Sequence, residues 1–222
     1  MNKTKALVFT KGLALGILSL FLSTSLGLGF IHASNFPYTR DIKTLNISES
    51  SGLSREELLD NYKAATKFLS PFSSGEFHLP SLKYSETGAS HFYDCKLIFN
   101  AVYILGTVSG LGILFAVMRK KLNNPKILSL GVTVTFLIPA VFISAILVNF
   151  DLVFNRFHAF FFKGDTWIFD PDVDEIINIL PADFFMHCAV VIATFWLAAA
   201  AILGLFSFSL HKKTGSLEQR SR

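Results

Sequence analysis

Two histidines lie in surroundings that suit proton transfer. His91 precedes Asp94 by three residues, about one helical turn, and a carboxylate at that spacing can orient an imidazole. His158 follows Asp151 by seven residues and Asn155 by three, so these polar side chains share one stripe of a helix. Because an imidazole with a pKa of about 6.5 can take or give a proton at neutral pH, we predict that His91 and His158 perform general acid/base catalysis at one site.

The motifs of several other reaction classes are missing from the sequence. There is no GxSxG nucleophile elbow, no HExxH zinc motif and no CxxC pair. A metal site built from His91, Asp94 and His158 would have few ligands, so we predict neither a metal nor another cofactor. Cys95 and Cys188 lie at the predicted outer ends of two helices, and both a disulfide and free thiols remain possible.

The other four histidines are weaker candidates. His211 adjoins two lysines at the end of the last apolar run and is typical of an interfacial anchor. His32 and His78 have no catalytic partner in the adjacent sequence. His187 begins the last apolar run and could line the site.

An acidic run from Asp170 to Glu175 allows either a calcium loop or a helix start. A calcium loop beginning at Asp170 needs Gly at its sixth position and Glu at its twelfth, where this sequence has Glu175 and Pro181. A helix start fits better, because Asp170 suits the N-cap and Pro171 the first turn. We therefore predict a helix that begins at Asp170.

The composition of the chain indicates that these candidate residues belong to a membrane protein. The chain has 222 residues, of which 51% are hydrophobic and 16% charged, against about 25% charged in soluble domains. Four runs without Lys, Arg, Asp or Glu are long enough to cross a bilayer as helices: 12–31, 97–118, 127–150 and 184–210. The sequence therefore predicts an all-α membrane protein with four transmembrane helices.

The charges on either side of these runs indicate the topology. Residues 1–11, 119–126 and 211–222 hold eleven basic residues and one acidic residue, whereas 32–96 and 151–183 hold nine basic and fifteen acidic. Since basic residues are enriched in cytoplasmic loops, both termini are predicted to be cytoplasmic. The net charge of +4 arises from the basic residues of the predicted cytoplasmic side. Because these residues mark the topology, we predict no nucleic-acid partner.

The predicted topology divides the chain into five segments. Ser54 and Glu57 form a capping box, which predicts a helix within the second segment. The segments are an N-terminal tip with the first transmembrane helix, an extracytoplasmic cap, the second and third helices with a basic cytoplasmic loop, an extracytoplasmic interfacial segment, and the fourth helix with a cytoplasmic tail: 1–31, 32–96, 97–150 with its loop 119–126, 151–183 and 184–222.

The segment between the third and fourth transmembrane helices is rich in Phe. Five of the 24 Phe residues lie within 154–162, around His158. We expect a helix in the membrane interface here, with Phe157 and Phe161 toward the acyl chains and the polar stripe toward the protein. Trp167 follows as an interfacial anchor.

Two blocks of the sequence resemble a known family. The first block comprises Ser85, Gly88, His91, Phe92, Asp94 and Lys96, and the second is FNRFHAFFFKGDTWIFDPDVDEIINILPADFF, from Phe154 to Phe185. Together they resemble the lipoprotein intramolecular transacylase family of Gram-positive bacteria, and the likeness covers nearly the whole chain. The second block is highly specific. Cys95 departs from the small aliphatic residue expected there, which speaks against a catalytic thiol.

The resemblance implies a reaction. Such enzymes move the sn-2 acyl chain of a diacylglyceryl-modified N-terminal cysteine onto the α-amino group of that cysteine, leaving a lyso-form lipoprotein. The partners would be diacylated lipoproteins and the lipid of the bacterial cell membrane, with the active site on the extracytoplasmic face. Transfer from an ester to an amide is downhill, so no acyl-donor cofactor is needed.

We assign roles on this hypothesis. His158 would act as general base, and His91, oriented by Asp94, would bind the developing oxyanion or share the proton relay; an acyl-histidine intermediate is a rival mechanism. The supporting residues would hold the interfacial loop and form a wall for the lipid: Arg156, Asp165 and Asp170 for the loop, and Trp167 for the wall. A membrane-embedded lipid or ester hydrolase and a non-catalytic membrane interaction protein remain alternatives.

Overall fold

The computed structural model describes residues 3–71 and 73–220, with side chains up to residue 212. Every regular element in that part of the chain is an α-helix, as the apolar pattern predicts. The bounds are α1 (Lys3–Ser34), α2 (Tyr38–Thr44), α3 (Ile47–Ser51), α4 (Arg55–Leu69), α5 (Glu86–Met118), α6 (Pro125–Val148), α7 (Phe150–Phe161), α8 (Ile176–Ile179) and α9 (Ala182–Arg220).

Four of these helices are long and apolar enough to cross a bilayer. They are α1, α5, α6 and α9. Helices α1, α5 and α9 each contain one of the apolar runs, and α6 covers the third run up to Val148, two residues before the end of that run. Each exceeds the roughly 20 residues that a hydrocarbon core about 30 Å thick requires. The fold is therefore that of a multi-pass membrane protein.

Helix α5 begins well before its apolar run, inside the segment predicted as cap. It is a single helix of 33 residues from Glu86 to Met118, with a length of about 50 Å at 1.5 Å per residue. No Pro or Gly interrupts residues 89–96, so the helix continues from the apolar run toward its N-terminus. These first turns carry His91.

The described chain forms two compact units. One comprises Met1–Gly27, Ile104–Ser144 and Ile192–Arg222. Its helices approach closely at small residues: a side chain added at Gly106 would overlap Ser25, and one at Gly110 would come within 3.3 Å of Leu22. Close contact at small residues is the usual way in which helices pack in a membrane.

The second unit comprises Leu28–Tyr103 and Ala145–Val191. It holds the short helices α2, α3, α4, α7 and α8. Its core is aromatic and aliphatic and includes Tyr38, Ile42, Leu58, Tyr62, Phe77, Leu79, Ile176 and Ile179, all buried. This core fixes the segments that carry the candidate site residues.

Helix α4 begins at the capping box that the sequence predicts. The Glu57 backbone N–H donates to Ser54 Oγ (3.3 Å), and the Ser54 backbone N–H donates to Glu57 Oε2 (2.9 Å). A further hydrogen bond from Ser54 Oγ to Glu57 Oε2 (2.7 Å), together with the one from the Ser54 backbone N–H, holds the pKa of the Glu57 carboxyl below its usual value. The helix then places Leu58, Tyr62 and Ala65 in the core at helical spacing.

The helix predicted to begin at Asp170 is not present. Asp170 Oδ1 instead accepts a hydrogen bond from the Asp172 backbone N–H (3.0 Å) in a turn, and α8 begins only at Ile176. The reason lies elsewhere in the chain: the Asp174 carboxylate binds Ser85, and the run folds to make that contact rather than to start a helix.

Candidate active site

His91 lies near the start of α5 and is 8% exposed. Its Nε2 is 3.4 Å from Cys95 Sγ, one turn further along the helix. Its buried Nδ1 has no hydrogen-bond partner among the described residues. One ring nitrogen of His91 is therefore available to another group.

His158 is half-buried on α7, whose first turn is capped by Asn149 through the Leu152 backbone N–H (2.9 Å). The His158 Nδ1 lies 2.8 Å from the Phe154 carbonyl oxygen. Since a carbonyl can only accept, Nδ1 carries the proton, and Nε2 of the neutral ring has the free lone pair. Burial lowers the pKa of His158, and the bond to Phe154 opposes that shift in part. The neutral ring can therefore act as a base.

The structure brings the two imidazoles together. The ring centroids of His91 and His158 are 5.9 Å apart. Phe162 contacts both rings, at 4.4 Å from His91 and 5.4 Å from His158. Trp167 lies 5.0 Å from His158, and Phe169 lies 5.5 Å from His91. The two imidazoles thus share an aromatic enclosure, in which a low dielectric strengthens hydrogen bonds.

The predicted orientation of His91 by Asp94 is wrong. Asp94 is half-buried, but neither ring nitrogen of His91 bonds to its carboxylate: Nε2 faces Cys95 and Nδ1 has no partner in the described chain. Asp94 lies three residues after His91 and Cys95 four, and in this helix the fourth residue meets the ring. Packing against aromatic rings, not a carboxylate, holds the imidazole.

The predicted orientation of the polar stripe on α7 is wrong for Asp151 and Asn155, although His158 does face the protein. Asp151 and Asn155 are exposed, whereas Phe154 and His158 form the half-buried face. The Phe154 ring packs against His158, with centroids 4.1 Å apart, and against Phe185, with centroids 5.4 Å apart. These aromatic contacts set the rotation of the helix, because they bury more apolar surface than the short polar side chains could.

The predicted supporting residues divide into two groups. Trp167 contacts His158, and its buried Nε1 has no hydrogen-bond partner among the described residues. Asp170 holds the turn described above. Arg156 and Asp165 are exposed, and the structure assigns their side chains no hydrogen bond or ion pair within the described residues. Of these four residues, only Trp167 and Asp170 make side-chain contacts that fit the roles predicted for them.

The residues predicted to face lipid are exposed. Phe157 is 42% exposed and Phe161 48%, and their ring centroids are 4.7 Å apart. Phe162, which belongs to the same Phe-rich run, instead is buried beside the histidines. Nothing in the sequence distinguishes the Phe that turns inward from those that turn outward.

Sequence reasoning missed the role of two buried carboxylates. Asp41 is fully buried, and its Oδ2 lies 2.8 Å from Nδ1 of His187, which is therefore engaged with α2. Asp174 is 6% exposed and binds Ser85. The partners are 146 and 89 residues apart, so no local spacing could have indicated either pair.

Both cysteines are free thiols in the structure, so the possible disulfide between Cys95 and Cys188 is not formed. Across the described residues, no group of three or more His, Cys, Asp or Glu side chains is arranged to hold a metal ion.

Comparison with known proteins gives a consistent result. A family model described as lipoprotein intramolecular transacylase Lit matches residues 13–185. The in meso structure of the membrane integral lipoprotein intramolecular transacylase Lit from Bacillus cereus is 29% identical, with a TM-score of 0.87, and the match covers 96% of this chain and 99% of that chain. No curated protein sequence matches.

Two further structures of the Bacillus cereus protein each have one histidine replaced. The arginine variant is 28% identical with a TM-score of 0.80, and the match covers 99% of this chain and 96% of that chain. The alanine variant has the same identity and TM-score, with coverages of 96% and 97%. With a family model matching most of its length and this agreement in structure, the chain belongs to the lipoprotein intramolecular transacylase family.

Proposed function

We propose that this protein moves the sn-2 acyl chain of a diacylglyceryl-modified N-terminal cysteine to the α-amino group of that cysteine, leaving a lyso-form lipoprotein. The observation that carries the proposal is the pairing of His91 and His158, 5.9 Å apart in an aromatic enclosure, in a chain of this family. The ester supplies the acyl group, so the reaction needs neither ATP nor a separate acyl donor.

His158 is the general base in this proposal. The attacking α-amine has a pKa of about 7.7 to 8.0 and is partly protonated at neutral pH. Nε2 of His158 takes the proton that the amine loses as its nitrogen bonds to the ester carbonyl carbon. The carbon–oxygen bond to glycerol then breaks, and His158 returns the proton to the departing glycerol oxygen. The lowered pKa of His158 favours the neutral ring that this step requires.

His91 stabilises the oxyanion in this proposal. A ring protonated at Nδ1 would donate a hydrogen bond to the carbonyl oxygen of the ester as negative charge develops on that oxygen. The Cys95 thiol, 3.4 Å from Nε2, suits this tautomer, because a thiol can donate to a nitrogen lone pair. The role of Cys95 is to support the ring, not to attack the substrate.

The membrane topology belongs to the same proposal. Both termini are cytoplasmic, as the eleven basic residues on that side indicate. The unit that contains His91 and His158 is extracytoplasmic and meets the outer leaflet, where a lipid-anchored protein presents its N-terminus. The exposed rings of Phe157 and Phe161 on α7 suit contact with acyl chains at the interface.

Mass spectrometry of the product tests the proposal. Purified wild-type protein in detergent should convert a diacylated lipopeptide to a product of unchanged mass with a blocked N-terminus, and His158→Ala should not. His78→Ala, which alters an exposed histidine of the same unit, should retain full conversion. Loss of one acyl chain would instead indicate a hydrolase, and an unaltered substrate an interaction protein. Full lyso-form product from His158→Ala would exclude the assigned base.

A further inference from the structure

A carboxylate remote in sequence holds the N-terminus of α5. Asp174 Oδ1 accepts hydrogen bonds from the Ser85 backbone N–H (2.8 Å) and from Ser85 Oγ (2.9 Å). Ser85 in turn caps the helix: its Oγ accepts from the Gly88 backbone N–H (2.8 Å), and its carbonyl accepts from that of Ala89 (2.9 Å). A buried carboxylate at a helix N-terminus also interacts favourably with the helix dipole.

The fit between Asp174 and α5 requires glycine at one position. A β-carbon at Gly88 would lie 2.9 Å from Asp174 Cγ and would overlap its Oδ1. The helix backbone therefore rests directly on the carboxylate. Next to this contact, the Lys83 backbone N–H donates to Glu175 Oε2 (2.8 Å), which ties the same two segments together again.

This contact connects the two elements that enclose the histidines. His91 lies on α5, six residues after Ser85, and its only side-chain hydrogen-bond contact in the described structure is with Cys95 on the same helix. The position of its ring therefore depends on where α5 begins. The segment that ends at Asp174 also carries Trp167 and Phe169, which pack on His158 and His91 respectively.

We propose that Asp174 is a positioning residue for acyl transfer. By binding Ser85 and seating Gly88, it sets the distance between His91 and His158 without contacting the substrate. The proposal rests on the proposed function, since the geometry it sets is that of the two histidines.

Kinetics of variants test the proposal. Asp174→Ala and Ser85→Ala should lower kcat by about 10²-fold, the effect of misplacing a catalytic group by about 1 Å, with little change in KM. Asp174→Asn, which keeps an acceptor oxygen for the Ser85 backbone N–H, should lower kcat less than Asp174→Ala does. Gly88→Ala should behave as Asp174→Ala does, whereas Gly204→Ala, where an added β-carbon meets nothing within 4 Å, should leave kcat unchanged.

A double-mutant cycle shows whether Asp174 acts through His91. In the His91→Ala background, Asp174→Ala should cause no further loss of kcat, because the group that it positions is gone. An equal loss in both backgrounds, or a rise in KM without a fall in kcat, would overturn the proposal.

A measurement independent of activity separates this proposal from the proposed function. The ring resonances of His91 in histidine-labelled protein, assigned with His91→Gln, should shift in Asp174→Ala and Gly88→Ala but not in Gly204→Ala. Unshifted resonances would overturn the positioning role even in an active enzyme. A wild-type protein that makes no lyso-form product would overturn the proposed function, while the resonances would still report on Asp174.

Discussion

The two proposed catalytic histidines are held in different ways. His91 is buried on a helix of 33 residues, and hydrogen bonds from Ser85 to Asp174 fix the start of that helix. His158 lies on the 12-residue α7, which has no buried residue, and its neighbours are mostly aromatic rings. Both imidazoles pack against aromatic rings, but the helix that carries His91 is anchored by directional polar contacts and the helix that carries His158 by ring packing.

The difference suggests a division of labour. Hydrogen bonds between buried groups allow one geometry, because a displaced donor or acceptor is left unsatisfied. Ring contacts on an exposed helix allow small displacements at little cost. We therefore expect α5 to provide the fixed part of the site and α7 the part that adjusts to the acyl chains.

The largest expected effect follows replacement of the base. His158→Gln keeps the approximate size of the ring but cannot accept and return a proton, so kcat should fall by about 10²- to 10⁴-fold. Single-turnover conversion of a diacylated lipopeptide measures it. A rise in KM with kcat unchanged would show that His158 binds substrate and does not transfer protons.

Replacement of His91 should lower kcat somewhat less than replacement of His158 does. His91→Ala removes the proposed oxyanion donor and should lower kcat by about 10²- to 10³-fold. His91→Gln retains an N–H donor and should recover part of the activity, whereas the Gln variant of His158 should not exceed its Ala counterpart. Equal behaviour of the two Gln variants would remove the distinction between a donor and a base.

The pH dependence of the rate should distinguish the ionisation of the substrate amine from that of His158. Because burial lowers the pKa of His158, its neutral form persists below the ordinary value of 6.5. The rate should therefore fall roughly tenfold per pH unit below the α-amine pKa of about 7.7 to 8.0, and a second protonation should appear only below pH 6.5. A histidine-dependent limb at or above that value, found by profiling kcat/KM, would contradict the lowered pKa.

The smallest effect concerns the aromatic wall. Trp167→Phe keeps a ring against His158 and removes an indole N–H without a hydrogen-bond partner in the described structure, so kcat should change less than about threefold. Trp167→Ala should lower it further. Trp196→Phe is the matched control: it removes an N–H that donates to Thr24 (2.8 Å), so thermal stability should fall while kcat stays the same. Equal kcat in Trp167→Phe and Trp167→Ala would show that the ring is not part of the site.

Local patterns determined much about this protein. The four apolar runs predict the membrane-crossing helices because each run is long enough by itself to bury a helix in lipid. The capping box at Ser54 and Glu57 predicts the start of α4 because both partners lie within one turn. His91 and His158 could be selected because imidazole is rare among side chains in titrating near neutral pH.

Tertiary structure alone decided how the site is arranged. The choice of Phe154 and His158 over Asp151 and Asn155 as the inward face of α7 depends on aromatic neighbours that other segments supply. The acidic run could not be interpreted locally, because Asp174 finds its partner 89 residues away in Ser85. Spacing along a helix reports only contacts within a few turns, whereas burial and long-range hydrogen bonds select which of those side chains meet.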